Sequence, residues 1–162
     1  MELQLGYAVL AGIVGAGLMV VAMVAGRLMG LATDMLRVLG LFFLTEESSP
    51  KAIRAVGLAV HLLMGAVFGL AYAGLLTWVG ATTVVGMAGL WGILFGAIHG
   101  LVIGAGLGVL PAVHPRMGAE NVLTPPGFFG RNIGLAMPVT LILLHVIYGV
   151  SAGLIYSAGV AG

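Results

Sequence analysis

Four long runs of apolar residues divide the chain, and the polar residues collect in the links between them. The runs extend over about residues 5–26, 53–79, 85–110 and 133–158. About 20 residues at 1.5 Å each cross the ~30 Å hydrocarbon core of a bilayer, so each run is long enough for a transmembrane helix. The pattern predicts an all-α, polytopic membrane protein with four transmembrane helices, forming a single domain over residues 1–162.

Composition supports this class of protein. Of the 162 residues, 61% are hydrophobic and 7% are charged, whereas a soluble domain has about 25% charged residues. The absence of cysteine excludes disulfides, thiolate metal ligands and cysteine nucleophiles. A net charge of +1 points to no nucleic-acid partner. The partners expected are therefore the lipid bilayer and other membrane protein subunits.

The basic residues lie in or beside two long links, residues 27–52 and 111–132. Basic residues favour the cytoplasmic side, so the sequence predicts a multi-pass membrane protein with both long links in the cytoplasm and both termini outside. In the first link, Arg27, Asp34 and Arg37 share one side of a helix. This pattern predicts an amphipathic segment at the membrane surface or an extension of the first helix. The basic residues are Arg27, Arg37, Lys51, Arg54, Arg116 and Arg131.

Two proline positions predict details of the helices. Ser48 or Ser49, just before Pro50, is expected to cap the second transmembrane helix at its N-terminus. Pro138 falls inside the fourth apolar run. A proline within a helix removes a backbone hydrogen bond, so a kink is expected there, with the carbonyl of Gly134 left free.

The motif H-x-x-x-G-x-x-x-G-L-x-Y occurs twice, at residues 61–72 and 145–156, with an offset of 84 (145 − 61). At 100° per residue, its His, Gly, Gly and Tyr stay within a helical stripe about 80° wide. The repetition predicts a pseudo-duplicated pair of helical hairpins, with halves at about 5–79 and 85–159. Gly12 and Gly96 align at the same offset. The tyrosines that end the motifs, Tyr72 and Tyr156, are expected to anchor the helices at the membrane interface.

Glycines at four-residue spacing predict close helix packing, because small residues let backbones approach in lipid. The alternative is that these gaps make room for a ligand. The first helix is expected to supply the matching ridge, through Ala8, Gly12 and Ala16 or through Gly26 and Gly30. The expected packing residues are Gly65 and Gly69, Gly92, Gly96, Gly100, Gly104 and Gly108, and Gly149 and Gly153.

Three histidines, His61, His99 and His145, are expected at one level near the middle of the bundle. Polar groups at this depth usually face the interior and need partners. One interpretation has each imidazole bonded to a carbonyl or hydroxyl of a neighbouring helix. A second has His61 and His145 as axial ligands of a b-type haem. A divalent metal site is a third, although no transmembrane carboxylate or thiolate supports it. A protonation or quinone-binding role is also open.

Three features of the sequence resemble a known group of proteins. They are the paired motifs, the sequence Gly-Leu-Trp91-Gly-Ile-Leu-Phe-Gly96 and the sequence His114-Pro-Arg-Met-Gly118. The chain resembles small four-helix bacterial integral membrane proteins grouped in domain-of-unknown-function families. The resemblance implies the fold and a location in the bacterial inner membrane, and it carries no activity or site residue.

Three functions remain open at this point. No catalytic constellation or extramembrane domain is recognisable, and glycines are dense. The first expectation is therefore a non-enzymatic subunit or assembly factor of a larger membrane complex. The second is a haem-b-binding electron-transfer subunit that uses His61 and His145. The third is a small metal-ion or solute transporter with a path past His61, His99 and His145.

Overall fold

The computed structural model describes residues 3–31, 34–117 and 123–161. Four of its α-helices are long and apolar enough to cross a membrane, which confirms the predicted all-α architecture. No strand occurs in the described ranges. Residues 118–122 of the predicted link 111–132, including Gly118 of the His114 motif, lie outside them. The helices are α1 Leu5–Leu28, α2 Met35–Leu41, α3 Pro50–Trp78, α4 Val85–Gly106 and α5 Met137–Ala161.

The two predictions made from proline positions have different outcomes, one at the N-terminus of α3 and one at that of α5. Ser49 caps α3, since its Oγ accepts a hydrogen bond from the N–H of Ala52 at 3.2 Å. This confirms one of the two expected caps. The predicted kink at Pro138 is wrong, because α5 begins at Met137 and Pro138 lies in its first turn. An N–H is not needed there. The carbonyl of Gly134 accepts from the N–H of Met137 at 3.1 Å.

The segment between α1 and α3 contains a separate short helix, so the expectation that α1 extends through it is wrong. α1 ends at Leu28, and Gly30 then turns the chain with a φ of +93°, a conformation that glycine adopts without strain. The Asp34 carboxylate caps α2 by accepting from the N–H of Arg37 at 3.2 Å. The cap therefore fixes where α2 begins.

α2 lies along the first turns of α3, and two glycines allow it. A Cβ at Gly40 would overlap the carbonyl of Ile53, and one at Gly57 would overlap the carbonyl of Leu36. Close packing of this kind joins the first link to the bundle. The other long link, residues 111–132, joins the bundle through His114, which is 4% exposed. Its Nδ1 accepts from the N–H of Arg116 at 3.1 Å, so its Nε2–H donates to the Val38 carbonyl at 2.9 Å. Both long links therefore meet at one end of the bundle, which we call the charged end.

In the bundle, α1 packs against α3 and α5, and α4 packs against α5. The backbones of α3 and α4 make few contacts, and these two helices meet through side chains such as Phe68 and His99. The backbones of α1 and α3 come together where Gly12 faces Gly65 and Gly69. Gly92 of α4 faces Gly149 of α5 in the same way. A side chain at any of these positions would overlap the neighbouring backbone, so glycine is what permits the close approach.

The glycine ridge of α4 packs against α5 and the loop before it. The expectation that α1 supplies the matching ridge is therefore wrong. At the charged end, the ring of Phe129 fills the notch at Gly104. Phe129 has a φ of +57°, which residues other than glycine rarely adopt, and this packing holds it there. Along the ridge, Gly92, Gly96 and Gly100 contact α5, whereas Gly104 and Gly108 contact phenylalanine rings.

The two tyrosines that end the repeated motifs lie inside the bundle. Tyr72 is 3% exposed and Tyr156 is 2% exposed, so their expected role as interface anchors is wrong. Tyr156 Oη accepts a hydrogen bond from the N–H of Gln4 at 3.3 Å. The Ser157 hydroxyl donates to the Thr82 carbonyl at 2.8 Å. These bonds tie the two ends of the chain and the α3–α4 turn together, opposite the charged end.

Candidate functional site

A cavity of about 140 Å³ lies within the helices, between the middle of the bundle and the charged end. We call it the histidine cavity, because His61 from α3, His99 from α4 and His145 from α5 all line it. The structure therefore brings together the three histidines that the sequence placed at one level. The methionines that line the cavity are Met19, Met23, Met35, Met64 and Met137.

Ring contacts hold the imidazole of His99 in the cavity wall. Its centroid lies 4.7 Å from that of His145, in an edge-to-face arrangement, and 4.2 Å from that of Phe68. The Tyr72 hydroxyl lies 3.4 Å from Nδ1 of His99. Because these contacts come from α3 and α5, His99 joins two helices to α4 at the level of the cavity.

His145 has a defined tautomer. Its Nδ1 lies 2.8 Å from the carbonyl oxygen of Leu141, one turn earlier on α5. A carbonyl can only accept, so Nδ1 carries the proton and Nε2 is the lone-pair nitrogen of the neutral ring. This agrees with the interpretation in which the imidazole bonds to a carbonyl. The carbonyl belongs to the same helix, however, and not to a neighbour.

Tyr148 is a wall residue that sequence reasoning missed. Its hydroxyl donates to the Gly65 carbonyl at 2.7 Å, and its ring meets that of Tyr72 edge-to-face at 5.2 Å. Tyr148 lies three residues after His145, where the first motif has Met64. A tyrosine at this unmatched position of the repeat was the available signal. The bond joins α5 to α3, which otherwise make few contacts.

Two nitrogens near the cavity lack a hydrogen-bond partner in the described part of the chain. They are Nε2 of His61 and Nε2 of His99. Nearly all buried polar atoms in proteins are hydrogen-bonded, so each exception calls for an explanation. Both histidines line the same cavity, and both nitrogens are buried within its wall.

We infer a lateral gap into the cavity beside Met64, between α3 and α4, because Met64 is the most exposed of the residues that line the cavity. Nearer the end opposite the charged end, aromatic side chains such as Phe68, Tyr72 and Phe95 fill the space between these helices. Toward the charged end, His61 and Met64 line the cavity from α3, and Ile103 lines it from α4. Met64 is 39% exposed. We infer that a molecule in the bilayer enters the cavity beside Met64, on the charged-end side of the aromatic side chains that α3 and α4 share.

At the charged end, Asp34 lines the cavity beside two cations. Its Oδ2 lies 2.8 Å from Arg54 Nη2 and 3.4 Å from Arg27 Nη1. Burial on its own raises the pKa of the Asp34 carboxyl. The hydrogen bonds from Arg54 and from the Arg37 N–H, with the charges of Arg54 and Arg27, outweigh burial and hold the pKa below its usual value. The carboxylate therefore stays ionised at neutral pH.

The size of the cavity argues against the haem hypothesis. A dry cavity of about 150 Å³ holds one benzene ring, so about 140 Å³ fits one six-membered ring. A porphyrin, with four linked rings, does not fit between His61 and His145 in this arrangement. Metal binding by the three histidines is also disfavoured, because no three His, Cys, Asp or Glu side chains among the described residues are placed to share an ion.

Comparison with models of protein families, with curated proteins and with solved structures finds no match for this chain. The resemblance to domain-of-unknown-function families therefore stays a prediction.

Proposed function

We propose that the protein is a non-enzymatic integral membrane protein that binds a small lipophilic molecule in the histidine cavity. The observation that carries the proposal is the cavity itself, of about 140 Å³, which the exposed side chain of Met64 borders. Its lining supports the same function. Methionine side chains are flexible and polarizable and adapt to apolar ligands, and five of the nine methionines line this one cavity.

The other expected functions have less support. The glycines that motivated a subunit of a larger complex are used in contacts within the chain, such as that of Gly92 with Gly149. The haem alternative needs more space than the cavity offers. The transporter alternative needs a second opening. On the side away from the charged end, the rings of Tyr72, Phe95 and Tyr148 pack together beside the cavity.

We also propose that the chain arose by duplication of a helical hairpin. Two sets of contacts support this. Gly12 faces Gly65 as Gly92 faces Gly149. The carbonyl of Ala8 meets Gly69 as the carbonyl of Ala88 meets Gly153. In this pairing Gly92, and not Gly96, is the equivalent of Gly12, so the first helix of each half corresponds at an offset of 80 (92 − 12) and the second at 84 (149 − 65).

Benzene is the probe that tests ligand binding, because its size matches the cavity. In titrations of purified, detergent-solubilised protein, we expect a dissociation constant on the order of 0.1–1 mM for a six-atom ligand. Met64→Trp should fill the gap and weaken binding at least about tenfold. Met87→Trp is the matched control, since Met87 is a similarly exposed methionine that does not line the cavity. It should bind benzene as the wild type does.

Two outcomes would contradict the proposal. One is wild-type protein that does not bind benzene. The other is binding that Met64→Trp and Met87→Trp change equally, which would place benzene in the detergent and not in the cavity. If other polypeptides also co-purify in fixed proportion, the expectation of a membrane-complex subunit gains support.

A further inference from the structure

The histidine cavity contains a hydrogen-bond acceptor to which no residue in the described ranges donates. The bond from His145 Nδ1 to Leu141 leaves Nε2 as an acceptor. The two phenols nearby are already engaged, because Tyr148 donates to the Gly65 carbonyl and the Tyr72 hydroxyl pairs with His99. Among the described residues, none donates to Nε2 of His145.

The surroundings of this nitrogen define the charge of a ligand. The wall of the cavity is made of aliphatic, methionine and aromatic side chains. Its one formal charge among the described residues is that of Asp34, which lies at the charged end and is paired with Arg54. Transfer of an ion into such a site is strongly unfavourable without a partner of opposite charge. A neutral donor is therefore required.

Size and lining define the shape of the ligand. A volume of about 140 Å³ accommodates one six-membered ring with a small substituent. The methionine sulfurs and the rings of Phe68 and His99 favour contact with an aromatic face or edge. The lateral gap beside Met64 admits molecules that dissolve in the bilayer.

We propose that the histidine cavity binds a neutral, single-ring phenol, whose hydroxyl donates a hydrogen bond to Nε2 of His145. This rests on the proposed function, because it names the ligand class of the same cavity. The phenolic oxygen keeps its lone pairs after donating this hydrogen bond.

Phenol and toluene test the proposal, because they have the same shape and differ in the hydroxyl. Each is titrated into purified wild-type protein and into His145→Leu in the same detergent. We expect the preference for phenol over toluene to be about three- to tenfold greater in the wild type than in the variant, as loss of one neutral hydrogen bond implies. Partition of both probes into the detergent cancels in this ratio.

A second measurement does not depend on the variant folding. In wild-type protein labelled with ¹⁵N-histidine, phenol should shift the resonance of an unprotonated imidazole nitrogen upfield as it becomes hydrogen-bonded. Toluene at equal occupancy should leave that resonance in place. A phenol with a long para-alkyl chain then identifies the source of the ligand. Retained affinity indicates a membrane lipid whose tail leaves through the gap, and lost affinity indicates a free phenol.

The outcomes separate this inference from the proposed function. Binding of benzene and toluene with no extra preference for phenol in the wild type, and with no ¹⁵N shift, overturns the inference and leaves the proposed function intact. Absence of binding by all the rings overturns both. A phenol preference that His145→Leu leaves unchanged also overturns the inference, because the acceptor would then be elsewhere.

Discussion

One carboxylate holds three helices together at the charged end. Asp34 caps α2, bonds to Arg54 of α3 and pairs with Arg27 of α1. Helix capping contributes about 0.5–2 kcal/mol, and an exposed ion pair contributes up to about 1 kcal/mol. Because Asp34 also lines the histidine cavity, the same contacts fix one end of the ligand site.

Acid should weaken this arrangement. The pKa of Asp34 is lower in the folded protein than its unfolded value of about 3.9. The ionised carboxylate therefore contributes stability above that value, and the contribution is lost as pH falls through the folded-state pKa. Asparagine can keep the cap, so Asp34→Asn removes the ion pairs, and we expect it to lower the free energy of unfolding by about 1 kcal/mol at pH 7 and to change it less below pH 4. Thermal unfolding in detergent from pH 7 to pH 3 measures this.

The control for that experiment is Glu46→Gln, which removes an exposed carboxylate from the same link. It should follow the pH dependence of the wild type. If Asp34→Asn and the wild type lose stability in parallel across the acid range, the contribution assigned to Asp34 is wrong.

At the level of single residues, the sequence predicted how deep the histidines lie in the bundle, but it did not predict which groups the polar side chains would contact. The spacing of His61 and His145 along their helices, with His99 in the middle of its own, predicted their common level. It could not predict that Asp34 would meet Arg54, because that contact depends on how α2 folds back onto α3. The partner of His145 was missed for a simpler reason. The imidazole bonds within its own helix, to Leu141, and not across to another.

At the level of helices, backbone contact through glycine is the main form of packing. The spacing of the glycines predicted a packing ridge on α4 correctly. It did not predict which helix would meet the ridge, because α1 and α5 both carry small residues at four-residue spacing. The long link of residues 111–132 lets α5 return beside α4, and Phe129 then covers the end of the ridge at Gly104. Such choices depend on the whole chain.

Substitutions at Gly92 and Gly86, two glycines of α4 with different surroundings, test this packing. A Cβ at Gly92 would overlap the Gly149 carbonyl, whereas Gly86 has no atom within 4 Å of such a position. We expect Gly92→Leu to force α4 and α5 apart and to destabilise the protein by about 3 kcal/mol or more. Gly86→Leu should change stability little. Unfolding of both variants by SDS measures the difference, and equal stability of the two would contradict the packing.

At the level of the whole molecule, all six basic residues lie at or beside the charged end, where the two long links meet. The opposite end, with the α3–α4 turn, has none. The positive-inside rule then predicts that the charged end faces the cytoplasm and that both termini lie outside. In this orientation, the Asp34 side of the histidine cavity is the cytoplasmic one.

The absence of cysteine makes this orientation directly testable, since one introduced thiol is the only one in the protein. Thr83 is exposed in the α3–α4 turn, and Glu46 is exposed in the first link. In bacterial spheroplasts, a membrane-impermeant maleimide should label Thr83→Cys at once and Glu46→Cys only after the membrane is opened. The reverse pattern would place the charged end outside. Labelling of both variants in intact spheroplasts would show that the chain inserts in two orientations, which the six-to-none distribution of basic residues argues against.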